Sequence, residues 1–296
     1  MDWVTGIQNA INYIEEHLTE EISYEKVAEQ AGCSNFYVQR IFGILCDVSL
    51  GEYIRNRRLT LAGNELNASD MKIIDIALKY GYENPESFGR AFLKFHGITP
   101  SEAKKDGSRL KSFSRLSVKI ILTGGSMMDY RIVKRKAFDV IEKVEQHSIE
   151  DDINQKSIPR FWERSHMDGT IETLCKYATD KTFILGLCYA NSADCAKTFD
   201  YAIGAEYSGE HVVPEGFRKN TIPEGTWAIF ECIGAMPGAM QDMWHKITSE
   251  FFPISGYMPT GEISIEAYTQ GHMSSSHYHS EIWIPVMKRE GIELVK

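Results

Sequence analysis

The sequence predicts a multidomain protein. An all-α N-terminal domain with two helix-turn-helix motifs is followed by an α+β C-terminal domain of two pseudo-symmetric strand-helix-strand-strand units. Three observations predict this. Ile7, Ile11, Ile14 and Leu18 recur at helical spacing. A repeat of about 50 residues runs through the first hundred. Beyond residue 127, β-rich runs at 183–189, 227–233, 263–268 and 281–287 alternate with turn signals, and seven of the nine prolines fall there. The expected division is 1–107, a linker over 108–126 containing a strand at 117–122, and 127–296. The linker reading rests on Asp106-Gly107-Ser108, a serine-rich stretch and Gly124-Gly125-Ser126.

The repeat justifies the first domain element by element. Ala28 and Gly32 recur as Ala77 and Gly81, Arg40 and Phe42 as Arg90 and Phe92, and Val48-Ser49 as Ile98-Thr99. The small residue lets two helices approach closely. The glycine four residues on supplies the positive φ of a tight turn. Ser34 and Asn84 are then N-caps, with Pro85 fitting a first helical turn. Val38, Ile41, Phe42 and Leu45 form the inner face of one second helix, and Phe88, Ala91, Phe92 and Phe95 that of the other. A plain bundle with a fortuitous repeat is the weaker explanation, because the second helices also share an arginine. Residues 51–68 read as one helix about 27 Å long, close to the roughly 34 Å between successive major-groove faces. Gly63 is expected to weaken it by about 1 kcal/mol.

Composition bounds the function. Of 296 residues, 43% are hydrophobic and 25% charged, which excludes wholesale disorder. No apolar run reaches transmembrane length, and Met1-Asp2-Trp3 does not begin a signal peptide, so a cytoplasmic protein without membrane contact is expected. Six cysteines without a Cys-x-x-Cys pair argue against a zinc site or disulfide scaffold. Cys188 and Cys195 read as buried thiols, and 277–279 as a loop rather than a metal site. No catalytic residue, metal or cofactor is expected. The net charge of −9 lies mostly beyond residue 120, leaving the first domain near neutral. It therefore permits DNA binding, with modest non-specific affinity.

The run Ile73-Ile74-Asp75-Ile76-Ala77, then Tyr80-Gly81-Tyr82, Phe88, Arg90, Phe92, Phe95, Gly97 and Pro100, resembles the AraC/XylS family of transcription regulators. So does 52–59 between the motifs. The resemblance covers about residues 5–105. It departs at Ala103-Lys104, where the family often has an aromatic residue and an arginine. It implies double-stranded DNA as partner, RNA polymerase as a further one, and a second helix of each motif in the major groove. On that reading Asn35, Phe36, Gln39 and Arg40 face bases in the first motif. Glu86, Ser87 and Arg90 do so in the second, with Lys94 nearer the phosphates. Gln39 suits adenine, Arg40 guanine, Phe36 a thymine methyl and Glu86 cytosine N4. A structural ion pair is an equal alternative for Arg40 and Arg90, and core packing for Phe36. Arg55, Arg57 and Arg58 suit phosphates or support of the fold.

In the second domain, 158–162 and 240–244 echo each other as helices in a strand-helix-strand-strand order. Strand alternation puts Ser264, Glu266 and Tyr268 on one face, and Glu281 with Trp283 on one face. Carboxylates beside aromatics suit a flat, apolar or cationic ligand, although an ordinary solvent-facing sheet has the same composition. The stretches 128–133, 222–228 and 281–286 resemble the GyrI-like effector-binding domain of Rob-type regulators. That resemblance implies a small-molecule effector, with Glu266 facing its cavity. Trp162, Tyr189, Trp244, Tyr268 and Trp283 are the other cavity candidates. The alternative is a small-molecule hydrolase using a cavity carboxylate and a tyrosine.

Overall fold

The computed structural model describes residues 3–46, 48–118, 127–148, 153–189, 198–209, 211–261 and 263–288. The chain divides into two compact units. One comprises residues 1–32 and 48–120, the other residues 33–47 and 121–296.

In the first unit, α1 (Trp3–Glu16) and α2 (Tyr24–Ala31) precede α4 (Leu50–Ala68), α5 (Ile73–Lys79), α6 (Pro85–His96) and the short α7 (Pro100–Ala103). The chemistry that starts and stops these helices is local. Ser23 caps α2, Asn84 caps α6 with Pro85 behind it, and Thr99 with Glu102 forms a reciprocal capping box on α7. Gly32 and Gly81 take positive φ (69° and 80°), as the repeat predicts. At Gly81 a Cβ would also strike the Arg58 guanidinium, 2.6 Å from Nη1. Leu59, Ala62, Leu66, Ile76, Ala77, Phe88 and Phe92 form the core between α4, α5 and α6.

Two of the three arginines of α4 support this unit. Arg57 donates to both oxygens of Glu15 (2.8 and 2.9 Å) and to the Phe113 carbonyl. Arg58 donates to the carbonyls of Leu18 and Glu20. Burial pushes the Glu15 carboxyl up, but its bonds from Arg57 and Tyr53 outweigh that and hold it below its ordinary value.

Residues 108–118, expected as linker, run without regular structure along this unit. Phe113 N–H donates to Thr60, Leu116 N–H to the Tyr53 hydroxyl and Val118 N–H to Gln8. The segment is a strap held by backbone hydrogen bonds. Residues 117 and 118 are not strand, and the rest of the expected 117–122 strand lies outside the described residues.

The second unit holds α3 (Asn35–Cys46) and a curled antiparallel sheet. Its strands are β1 (Tyr130–Arg135), β2 (Phe138–Ser148), β3 (Phe183–Tyr189), β4 (Thr198–Glu206), β5 (Arg218–Ile222), β6 (Gly225–Ile233), β7 (Tyr257–Pro259), β8 (Ile263–Thr269) and β9 (His279–Lys288). The order is β1-β6-β9-β8-β3-β4-β2-β5, with β7 on β9. Helices α8 (Ile153–Met167) and α9 (Thr170–Tyr177) lie between β2 and β3. Helix α10 (Gly238–Lys246), a π-helical turn (Ile247–Phe251) and α11 (Phe252–Ile254) lie between β6 and β8. Each half therefore reads strand, strand, helix, strand, strand, one leading strand more than the sequence pattern predicts, with the short β7 added in the second, and the halves join where β3 pairs β8.

The leading strand of each half crosses over. β1 precedes β2 but pairs β6, while β5 precedes β6 but pairs β2. Two residues join β1 to β2, so the sheet curls until its ends meet, and Phe138 packs on Trp227. The inner face carries Val140, Leu185, Leu187, Trp227, Ile229, Ile265 and Trp283. The outer face carries Ile141, Cys188, Tyr201 and Ile203 against Phe161 of α8 and Leu174 of α9.

Gly63 has a packing reason that the sequence does not show. A Cβ there would lie 2.8 Å from the His96 ring, which is buried and bonds the Leu59 carbonyl at 2.9 Å. Gly89, in α6, has nothing within 4 Å. Gly63→Ala is expected to destabilise by about 1–3 kcal/mol despite its helix propensity, and Gly89→Ala to stabilise by about 0.5–1 kcal/mol. Urea unfolding of the two variants checks the opposite signs.

Candidate effector site and DNA-facing helix

The candidate site forms on the outer face where the two halves of the sheet join. Alternation along β8 turns Ile263, Ile265 and Ala267 to the inner core and Ser264, Glu266 and Tyr268 outward. Glu266 stands opposite Gly186 of β3 and Ile282 of β9. Gly186 makes room, since a Cβ there would strike the Tyr201 hydroxyl and approach Trp162 Cζ2 to 3.4 Å.

Glu266 is ringed by donors. Its Oε1 accepts from the Trp244 indole of α10 at 2.9 Å and from Arg40 Nη2 of α3 at 2.6 Å. Its Oε2 accepts from the Tyr268 hydroxyl at 2.9 Å. Arg40 Nη1 also donates to Ser264 Oγ at 3.1 Å, and Arg40 Cζ stands 3.8 Å from the Trp244 ring centroid. The Trp162 indole donates to the Tyr201 hydroxyl at 2.9 Å and meets the Tyr268 ring edge-on at 5.0 Å. The site is thus a carboxylate in an aromatic box, holding a guanidinium.

Burial fixes the protonation states. It pushes the Tyr201 and Tyr268 phenols well above their ordinary value, and the Glu266 charge adds to this. Burial likewise pushes the Cys188 thiol up to about 12. Burial works against the Arg40 charge, but the facing Glu266 carboxylate outweighs it and raises the guanidinium pKa. Both phenols therefore stay neutral, and Arg40 keeps its charge beside Glu266.

Of the residues expected at the cavity, Glu266, Trp162, Trp244 and Tyr268 come together. Tyr189 and Trp283 do not, because strand alternation turns them to the inner face. Tyr189 is one residue out of phase with Cys188 and donates to Glu142, which also accepts from Arg218 Nε at 2.8 Å. Trp283 stands opposite Ile265 rather than Glu266, donates to Glu281 at 2.6 Å and lies under Arg135. Sequence reasoning missed Tyr201 and the arrival of Arg40. A mid-strand glycine at 186 was the available signal for the crowding that Tyr201 causes.

The candidate DNA contacts divide by helix. In α6, Glu86, Arg90 and Lys94 are exposed and Ser87 is half-buried. In α4, Arg55 is half-buried. In α3, Gln39 is 7% exposed and donates to Asn35 at 2.8 Å, while Arg40 is engaged at Glu266. Phe36 lies within α3, but its side chain lies outside the described residues, as does Cys195. Among the described residues no cluster of metal-ligating side chains occurs, and no helix is long and apolar enough to cross a membrane.

Comparison with known proteins matches two stretches of the chain. Residues 27–106 match the family described as "Helix-turn-helix domain". Residues 131–286, more than half of the chain, match "Integron-associated effector binding protein". The regulatory protein SoxS of Salmonella typhimurium (strain LT2) is 41% identical over 96 residues, covering 32% of this chain and 90% of SoxS. The chain belongs to the AraC-type regulators and carries an integron-associated effector-binding domain.

A further AraC-type relative, the transcriptional activator AarP of Providencia stuartii, is 38% identical over 95 residues, covering 32% of this chain and 70% of AarP. Among solved structures, SAV2435 bound to tetraphenylphosphonium is similar to 54% of this chain over 94% of its own, at 22% identity and a TM-score of 0.48. Within the effector-binding domain, Gly186→Ala is expected to displace Tyr201 and destabilise by about 1–3 kcal/mol through overpacking. Urea unfolding read by tryptophan fluorescence checks it.

Proposed function

We propose that this AraC-type regulator reads operator DNA with α6 and answers to a flat, lipophilic cation bound at Glu266, altering its engagement with DNA and RNA polymerase. The observation that carries the ligand class is the guanidinium of Arg40. A planar, delocalised cation already fits between the Glu266 carboxylate and the Trp244 ring. The aromatic rings supply area and cation–π attraction, and the carboxylate supplies the charge. An arylguanidinium has that chemistry, and a tetraarylphosphonium, tetrahedral rather than flat, shares its charge and its aromatic surface. Burial keeps both nearby phenols protonated, and Glu266 already accepts three hydrogen bonds. These facts support binding rather than turnover.

On the DNA side, α6 offers Arg90 for guanine, Glu86 for cytosine and Lys94 for phosphate, all exposed. Arg55 of α4 suits a phosphate contact. Two experiments test the reading. Titration of the full chain with tetraphenylphosphonium, followed by tryptophan fluorescence, is expected to saturate. Glu266→Gln is expected to weaken that binding at least about tenfold, or 1.4 kcal/mol; equal affinities would remove Glu266 from the site. Selection of bound duplexes from a random pool is expected to give a defined site in which Arg90→Ala relaxes one base pair at a cost of about 1–3 kcal/mol. An unchanged selected sequence would remove Arg90 from base reading.

A further inference from the structure

The second helix of the first motif behaves unlike its repeat. Helix α6 keeps Glu86, Arg90 and Lys94 in solvent. Helix α3 is buried at Tyr37, Val38, Ile41 and Phe42, and also at Gln39 on the side that the repeat predicts to be outward. A helix buried on both its apolar and its polar side is packed as core and offers little to a groove.

Its fit is specific at the start and at the middle of the helix. At the start, Ser34 accepts from Tyr37 N–H at 3.2 Å and donates to the Gly261 carbonyl at 2.5 Å. Gly261 has φ +80°, and a Cβ there would fall 2.5 Å from Ser34 Oγ, so this approach needs glycine. One turn further, the Tyr37 ring meets Phe252 of α11 edge-on at 6.2 Å. At Arg40, one guanidinium reaches Ser264, Glu266 and the Trp244 face together. Glu266 and the Trp244 face are also the groups proposed to hold the effector.

We propose that α3 is a displaceable internal occupant of the effector site: Arg40 holds the place of the cationic effector, and the effector and the docked helix exclude each other. The proposal rests on the reading of Glu266 as a cation site and adds the identity of the competitor. Two cations cannot share one carboxylate and one indole face at contact distance. A guanidinium bonded to Glu266 also cannot pair with guanine O6 and N7. Effector binding therefore releases the helix that carries Asn35, Gln39 and Arg40, the candidate base-reading residues of the first motif. The same bonds that recognise the ligand hold the first motif shut.

The test uses the full chain and its Arg40→Ala and Glu266→Gln variants, with tetraphenylphosphonium as the probe. Tryptophan fluorescence measures affinity, and amide hydrogen exchange measures the opening of residues 35–46. The expected results are tetraphenylphosphonium binding at least about tenfold tighter in Arg40→Ala than in the wild type, and faster exchange across 35–46 when wild type is saturated. Equal or weaker binding by Arg40→Ala overturns the competition while leaving the cation site intact. If none of the three proteins binds the probe, the cation reading itself fails, and exchange without ligand decides the docking. Faster exchange across 35–46 in both variants, with β3 and β8 still protected, supports Arg40 as the latch. Unchanged exchange overturns it, and loss of protection in β3 and β8 of either variant shifts the comparison to the other.

Discussion

The carboxylate of Glu266 is the constraint around which the second unit is arranged. A charge at the join of two half-sheets, 16% exposed, is costly unless it is paired and fully hydrogen-bonded. Every group that satisfies it comes from a different element. Trp244 comes from α10, Tyr268 from β8 itself and Arg40 from α3. Leaving either partner of such a pair without the other costs about 3–5 kcal/mol when burial is complete, and less at this exposure. That cost fixes where α10 and α3 pack.

The curl of the sheet sets what can join this site. Because β1 and β5 each cross to the opposite half, the inner face closes on itself and fills with Trp227, Trp283 and Leu185. The outer face, where the helices lie, carries the Glu266 cluster. The pleat then sorts every strand residue by parity. Cys188 and Tyr189 are neighbours in sequence, yet one packs on the outer face with Phe161 and Tyr201 and the other reaches Glu142 in the interior. Glu142 with Arg218 and Tyr189 forms a polar cluster of its own, separate from Glu266.

Much of the fold was legible because it depends on short-range rules. The duplicated glycines had to be left-handed, Asn84-Pro85 had to begin a helix, and the faces of β8 followed from period two. That Glu266, Trp162, Trp244 and Tyr268 belong to one candidate site was legible too, and the four side chains do come together. Tyr189 and Trp283 were misplaced for want of register, which depends on pairings between distant strands and cannot be counted along one strand. Gly63 read as a weakness of α4 because the His96 ring that needs its space is thirty-odd residues away. Residues 108–118 read as linker from serine and glycine content. The side chains of α1 and α4 that accept from their backbone N–H groups leave no mark in local composition.

The sequence of α3 satisfies two demands that conflict. Its repeat partner α6 shows the pattern of a groove reader, with charges outward and phenylalanines inward. α3 keeps the apolar pattern but has Tyr37 and Gln39 where they can be enclosed, and one cation at the centre. Arginine suits both settings, since its guanidinium pairs with a carboxylate, stacks on an indole or meets a guanine edge with the same planar fork. A lysine could supply the charge but not the stacking, and a neutral residue could not satisfy Glu266. If docking of α3 and effector binding share one carboxylate, each disfavours the other by the same free energy. An effector then moves the equilibrium only as far as its preference for the vacated site exceeds that of Arg40. The strength of the Arg40–Glu266 pair thus sets both the resting population of the docked helix and the lowest affinity an effector must have to displace it.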